Sequence, residues 1–90
     1  MDSDGYPTEE ELLRVEKWPD VDAAAWLAYV KTLWHFPDWG WREEGDRVFA
    51  STGGWSGNED VIAAMQKNFL WGVMLESYRR GGHYEFRWPK

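Results

Sequence analysis

Ser51-Thr52-Gly53-Gly54-Trp55-Ser56-Gly57-Asn58-Glu59 is the stretch on which the reading of the chain turns. Before it, Arg47 to Thr52 alternates apolar and polar residues, the period of a half-buried strand. Within it, Ser56 and Glu59 have the spacing of a capping box, and Asn58 is a second candidate cap. The stretch therefore reads as a strand end, a glycine-rich turn and the start of a helix, and it predicts an α+β fold. The helix is expected to run to about Arg80, where Gly81-Gly82 supplies the left-handed conformation that closes a helix. A last strand, His83 to Trp88, alternates aromatic with polar residues and stops at Pro89.

Upstream, Trp39 to Glu43 alternates as well, and Glu44-Gly45-Asp46 supplies a tight turn, so residues 39 to 52 predict a β-hairpin. Before it, Trp26, Val30, Leu33 and Trp34 recur at helical spacing in a helix over about 21–35, with Asp20 as its cap. A shorter helix over about 9–17 starts at Thr8, which forms a capping box with Glu11, and ends at Trp18-Pro19. Residues 1–7 lack apolar periodicity and are expected to be a flexible acidic arm, leaving 8–90 as one α+β domain.

The predicted order is ααββαβ, with a three-stranded, mainly antiparallel sheet in the order 2-1-3, preferred to a mixed order 1-2-3, and helices on one face. Trp39 and Trp41 would then lie on the central strand. The final helix is the awkward piece: 23 residues would span about 34 Å, against about 20 Å for a six-residue strand, so it either overhangs the sheet or bends at Gly72. Phe69 to Leu75 is apolar on every side and needs more than one neighbour. A homodimer through Phe69, Trp71 and Leu75 is one way to supply it.

Ninety residues with eight tryptophans, four tyrosines and four phenylalanines describe a small domain whose core is built from few, large pieces. Without cysteine there is neither a disulfide framework nor thiolate chemistry, and two histidines do not make a closed zinc site. No metal and no cofactor is expected. No run reaches the length of a membrane span, and Met1-Asp2-Ser3-Asp4-Gly5 is acidic where a signal peptide is basic, which predicts a cytoplasmic protein. The net charge of −6 resides wholly in residues 1–22; the rest is neutral overall. That argues against a general nucleic-acid binder, since phosphate affinity comes from Lys and Arg.

Four patterns invite chemistry. The glycine-rich turn could cradle an anion, but the P-loop lysine is missing and Glu59 and Asp60 would repel phosphate. Arg79-Arg80 with His83, Arg87 and Lys90 forms the basic cluster, which serves either the helix dipole or an acidic partner. Helix length would place these arginines far from the glycine-rich turn. Ser56, His35 and Asp38 can be assembled into a triad only on paper, because no G-x-S-x-G elbow is present, so no catalytic residue is assigned. Glu43, Glu44 and Asp46 read as turn solvation. Trp55 is unexplained by local pattern: it is either a lid folded on the core or an exposed anchor for a partner.

The stretch Ser51 to Glu59, together with Arg79-Arg80-Gly81-Gly82-His83-Tyr84-Glu85-Phe86 and the amphipathic helix between them, resembles a family of short bacteriophage and prophage proteins of unassigned activity. The resemblance implies a bacterial host cytoplasm and, at the level of that class, a protein that binds and blocks a host protein such as a defence or nucleic-acid-processing enzyme. The leading expectation is thus a non-enzymatic protein-binding module. Its contact residues would be Glu9, Glu10 and Glu11 of the acidic helix, Trp55 and Asn58 of the turn, and Arg79, Arg80 and His83. The alternative is a small-ligand or nucleic-acid-binding module that uses the glycine-rich turn and the arginines.

Overall fold

The structure, a computed structural model, describes residues 1–19 and 21–87. The chain runs α1 (Glu9–Glu16), α2 (Ala23–Leu33), α3 (Pro37–Gly40), β1 (Trp41–Glu44), β2 (Arg47–Ser51), α4 (Ser56–Gln66), α5 (Leu70–Met74), β3 (Leu75–Arg79) and β4 (His83–Arg87). The α+β class is as expected from the sequence. The sheet has four strands in the order β1-β2-β4-β3, every neighbouring pair antiparallel. The expected cap Asp20 and the residues Trp88, Pro89 and Lys90 lie outside the described residues.

The first helix starts as its capping box dictates: the Thr8 hydroxyl accepts from the Glu11 N–H at 3.2 Å and the Glu11 carboxylate accepts from the Thr8 N–H at 2.9 Å. In α2 the cap is Asp22, whose carboxylate accepts from the Ala25 N–H at 3.0 Å. The β1–β2 hairpin turns at Gly45 with φ 59°, a left-handed position that glycine takes without steric cost.

The single long helix expected to reach Arg80 is replaced by two helices and a strand. Asn68, only 6% exposed, is the cause. Its Nδ2 donates to the Val15 and Glu16 carbonyls at 3.1 and 3.2 Å, satisfying the end of α1, while its Oδ1 accepts from the Leu70 N–H at 2.9 Å. An Asn that bonds locally and across the fold competes with helical continuation, so α4 stops at Gln66 and helix resumes as α5 at Leu70. Gly72 lies inside α5 and is not the bend.

Leu75 to Arg79 then pairs with β4, and Gly81 and Gly82, with φ 95° and 81°, make a hairpin turn instead of a helix cap. The pairings also correct the order 2-1-3. A crossover from β2 through the helices does deliver a strand parallel to β2, but that strand is β3, and β4 returns between the two, antiparallel to both. β1 is thereby an edge strand, and Trp39 precedes it in α3.

One sheet face carries the buried Trp41, Val48, Ala50 and Phe86, and these join Trp26, Leu27 and Trp34 from α2 and Val61 and Met65 from α4 in one core. Buried indoles are hydrogen-bonded where they meet backbone: Trp26 Nε1 donates to the Val15 carbonyl at 3.0 Å and Trp34 Nε1 to the Ser51 carbonyl at 3.3 Å. The other face carries Arg42, Phe49, Ser51, Arg79 and His83, with Trp39 of α3 at its margin.

Candidate functional site

The turn from Ser51 to Glu59 is built differently from a capping box. α4 has Trp55 at its cap position with no side-chain cap bond, and Ser56 is exposed. Asn58 is buried at 2% exposure and clamps a distant loop. Its Oδ1 accepts from the His35 N–H at 2.8 Å, and its Nδ2 donates to the His35 carbonyl at 3.1 Å and the Thr52 carbonyl at 3.3 Å. Trp55 is folded in: its indole stacks on His35 with ring centroids 4.4 Å apart and on Tyr6 at 4.7 Å. Trp55 is half-buried, and its ring contacts are with Tyr6, His35 and Phe36, none of which belongs to the core cluster. Trp55 and Asn58, two of the residues expected to touch a partner, thus both contact His35.

Tyr6 belongs to a turn in residues 2–6, where the Asp2 carboxylate accepts from the N–H groups of Asp4 and Tyr6 at 2.9 Å each. What Asn58 and Trp55 hold in place is the His35–Gly40 loop. Phe36 is in the left-handed region at φ 58°, an outlier for a bulky residue, and is 61% exposed. Trp39, three residues on and 70% exposed, rests on Gly53, where a Cβ would lie 2.8 Å from its ring.

The basic cluster sits beside this loop, contrary to the distance expected from one long helix. The Thr52 N–H donates to the Gly82 carbonyl at 3.0 Å, and a Cβ on Gly82 would collide with the Thr52 hydroxyl, so the two glycine-rich turns abut. Across the open sheet face lies a groove of about 450 Å³ lined by Trp39, Arg42, Phe49, Ser51, Arg79 and His83, among others. His83 Nδ1 is 2.8 Å from Ser51 Oγ. Arg42 lies over the Phe49 ring at 4.5 Å and pairs with Glu44 at 2.9 Å. Arg47 bonds Glu85, which also accepts from the Ser77 hydroxyl at 2.9 Å. Arg79 and Arg80 are exposed and have no ion-pair partner among the described residues.

A second groove, about 420 Å³, runs between α1 and α4. Glu9, Leu12, Leu13 and Glu16 line it from α1, and Asp60, Ala63 and Ala64 from α4 with Lys67 at its C-cap. Each set has the spacing i, i+3, i+4, i+7, one face of a helix. Glu16 meets Lys67 at 3.4 Å, so the two stripes run in the same direction, with Glu9 and Asp60 at the far end. Those two carboxylates have no ion-pair partner among the described residues. The floor is apolar, and Leu13 is 53% exposed.

The three glutamates of α1 thus part company. Glu9 lines the groove, Glu10 is exposed outside it, and Glu11 is committed to the Thr8 cap and to the N-terminal ammonium at 2.8 Å. Burial pushes the Glu11 carboxyl up, but the bonds from the ammonium and Thr8 together hold it below the ordinary carboxylate value.

Near the hairpin turn, Glu43 accepts from Lys31 at 2.8 Å and from Trp41 Nε1 at 3.1 Å, and Asp46 pairs with Arg87 at 3.3 Å. No group of three or more His, Cys, Asp or Glu side chains placed to hold a metal occurs among the described residues. No hydrogen bond joins His35 to Ser56 or Asp38 among them; His35 instead packs its ring on Trp55 and Phe36. Phe69 is exposed, whereas Trp71 and Leu75 pack against the core. No described helix is long and apolar enough to cross a membrane.

Sequence reasoning missed Trp39, Phe49, Arg42 and Ser51 as groove residues, although the alternation that buries Val48 and Ala50 already turns Phe49 and Ser51 to the opposite face. It also missed the α4 stripe, legible in the spacing of Asp60, Ala63, Ala64 and Lys67. Comparison with protein-family models, curated proteins and solved structures finds no match.

Proposed function

We propose that the chain is a non-enzymatic protein-binding module and that the α1–α4 groove takes a basic amphipathic helix of its partner. The observation that carries this reading is the pair of facing i, i+3, i+4, i+7 stripes with an apolar floor and two uncommitted carboxylates at one end. A helix laid in such a groove buries its own apolar stripe between Leu12, Leu13, Ala63 and Ala64. The alanines allow close approach. Each stripe is about 10 Å long, two turns of an occupant, and a Lys or Arg at the occupant's end would meet Glu9 and Asp60. The Glu16–Lys67 end is already neutralised, so charge fixes the direction of the occupant as well as its sign.

The resemblance to small phage proteins makes a bacterial host protein the partner class, and binding that covers a functional basic helix would inhibit it. Capture from a host lysate by immobilised wild-type protein and two variants tests the surface. Ala63→Glu fills the exposed floor of the groove with a bulky charge and is expected to abolish capture of the specific partner. Glu10→Ala, on the same helix but outside the groove, is expected to leave it intact. Capture undiminished by Ala63→Glu in a folded protein, checked by circular dichroism, refutes the groove.

A further inference from the structure

We infer that the open face of the sheet is a second site, for a single nucleoside phosphate: a phosphate group held at Ser51, His83 and Arg79 with a planar ring against Trp39. It is independent of the α1–α4 groove. The register places Ser51 opposite His83 and His83 opposite Arg79, so the three side chains form one row across β2, β4 and β3 on the uncovered face. With strands about 4.8 Å apart, the row spans about 10 Å, and it offers a hydroxyl, an imidazole and a guanidinium side by side. The next row is Arg42, Phe49, Glu85 and Ser77.

Charge decides what this row is for. The cations further along the face are already matched: Arg42 by Glu44, Arg47 by Glu85 and Glu76, and Arg87 by Asp46. Arg79, with Arg80 next to it, has no carboxylate partner among the described residues. In a chain of net charge −6 this corner is a local positive end, complementary to a phosphate. The ring component follows from Trp39, whose indole is backed by Gly53 yet 70% exposed, and from the Arg42–Phe49 stack beside it, two flat surfaces on which a base can lie.

Size and sign limit the occupant to one nucleotide. A groove of about 450 Å³ is of small-molecule dimension. A continuing strand of nucleic acid would carry its next phosphates toward Glu85, Glu44 and Asp46, where the face alternates in sign and offers no basic track. The position is also pre-formed. Asn58 and Trp55 fix the loop that carries Trp39, and the Thr52–Gly82 bond fixes the β3–β4 turn that carries Arg79 and His83.

Calorimetric titration with adenosine 5′-monophosphate, adenosine, inorganic phosphate and a ten-nucleotide single strand tests the assignment. The nucleotide should bind saturably, with adenosine and phosphate each weaker than the nucleotide by about tenfold or more, since each lacks one of the two contacts. Arg79→Ala and Trp39→Ala, both at exposed positions, should each lower nucleotide affinity by a similar factor, while Ala63→Glu should leave it unchanged. Absence of saturable nucleotide binding overturns the site, as does binding that ignores both substitutions. Tighter, steeply salt-dependent binding of the single strand overturns the limit to one nucleotide.

Discussion

Replacing Asn58 by Ala should cost this protein more than any capping residue of α4 could. The side chain is buried and makes three hydrogen bonds, to both backbone groups of His35 and to the Thr52 carbonyl. Each intact bond contributes about 1 kcal/mol net, and a buried backbone group left without a partner costs about 1–3 kcal/mol. Three lost bonds therefore come to about 3 kcal/mol, from which the better helix propensity of Ala removes about 0.6 kcal/mol. The expected loss is 2–3 kcal/mol, or a fall in Tm of about 10–20 °C for a domain of this size. Urea denaturation of Asn58→Ala beside Ser56→Ala reads it directly. If the helix were capped by Ser56, that variant would lose about 1 kcal/mol; in this structure Ser56 is exposed and caps nothing, so it should stay within about 0.5 kcal/mol of wild type. A Ser56→Ala loss equal to or greater than that of Asn58→Ala would refute the clamp.

Glycines in the second half of the chain should separate by conformation. Gly82→Ala places a Cβ on the Thr52 hydroxyl at φ 81° and should destabilise by about 2 kcal/mol or more, whereas Gly72→Ala, in α5 with open space around it, should stabilise by about 0.5–1 kcal/mol. Thermal melts of the two variants check the difference, and equal effects would discredit the hairpin turn. Acid should weaken the fold, because Glu11, Glu43 and Asp46 all have carboxyls held below their ordinary values, Glu43 and Asp46 first of all by their bonds to Lys31 and Arg87. A depressed carboxyl contributes stability above its unfolded value, 4.5 for the glutamates and 3.8 for Asp46, and loses it as pH falls through the lower folded value. Melting temperature measured from pH 7 downward should therefore hold above about pH 5 and then decline, and Glu43→Gln should flatten part of the decline.

Local signals were legible wherever the deciding contact lies within a few residues. Thr8 and Glu11 announced α1, which stands where the spacing put it, and the alternation about Gly45 announced the hairpin, whose first strand starts at Trp41 because Trp39 and Gly40 are helical. The failures are long-range. Phe69 to Leu75 is apolar on all sides and so has no period to distinguish helix from strand. What divides it from α4 is Asn68 reaching carbonyls 53 and 52 positions away. Once that break is missed, β3 is missed, the sheet acquires the wrong neighbours, and the arginines are sent to the wrong end.

The candidate site shows the same division. Glu9 was marked by the charge of the first helix, but its counterpart Asp60 acquires meaning only when α4 packs alongside. Trp55 was marked because no local pattern required it, and the rings that enclose it come from residues 6 and 35. Ser51 and His83 meet across 32 positions, a distance over which spacing carries no information.

The insertion of β4 between β2 and β3 also sets an order of assembly. Of the two inner strands, β4 is the last of the four along the chain, so during synthesis β2 must wait with one edge open while α4, α5 and β3 are made. Until β4 arrives, the β1–β2 hairpin has a free row of backbone donors and acceptors and an apolar face carrying Val48 and Ala50. An open edge of that kind is a template for pairing with another chain. The contacts that close it are distant in sequence and hence slow to form. The acidic residues 1–22 are made before β2, and their like charge opposes the approach of another such chain during that wait.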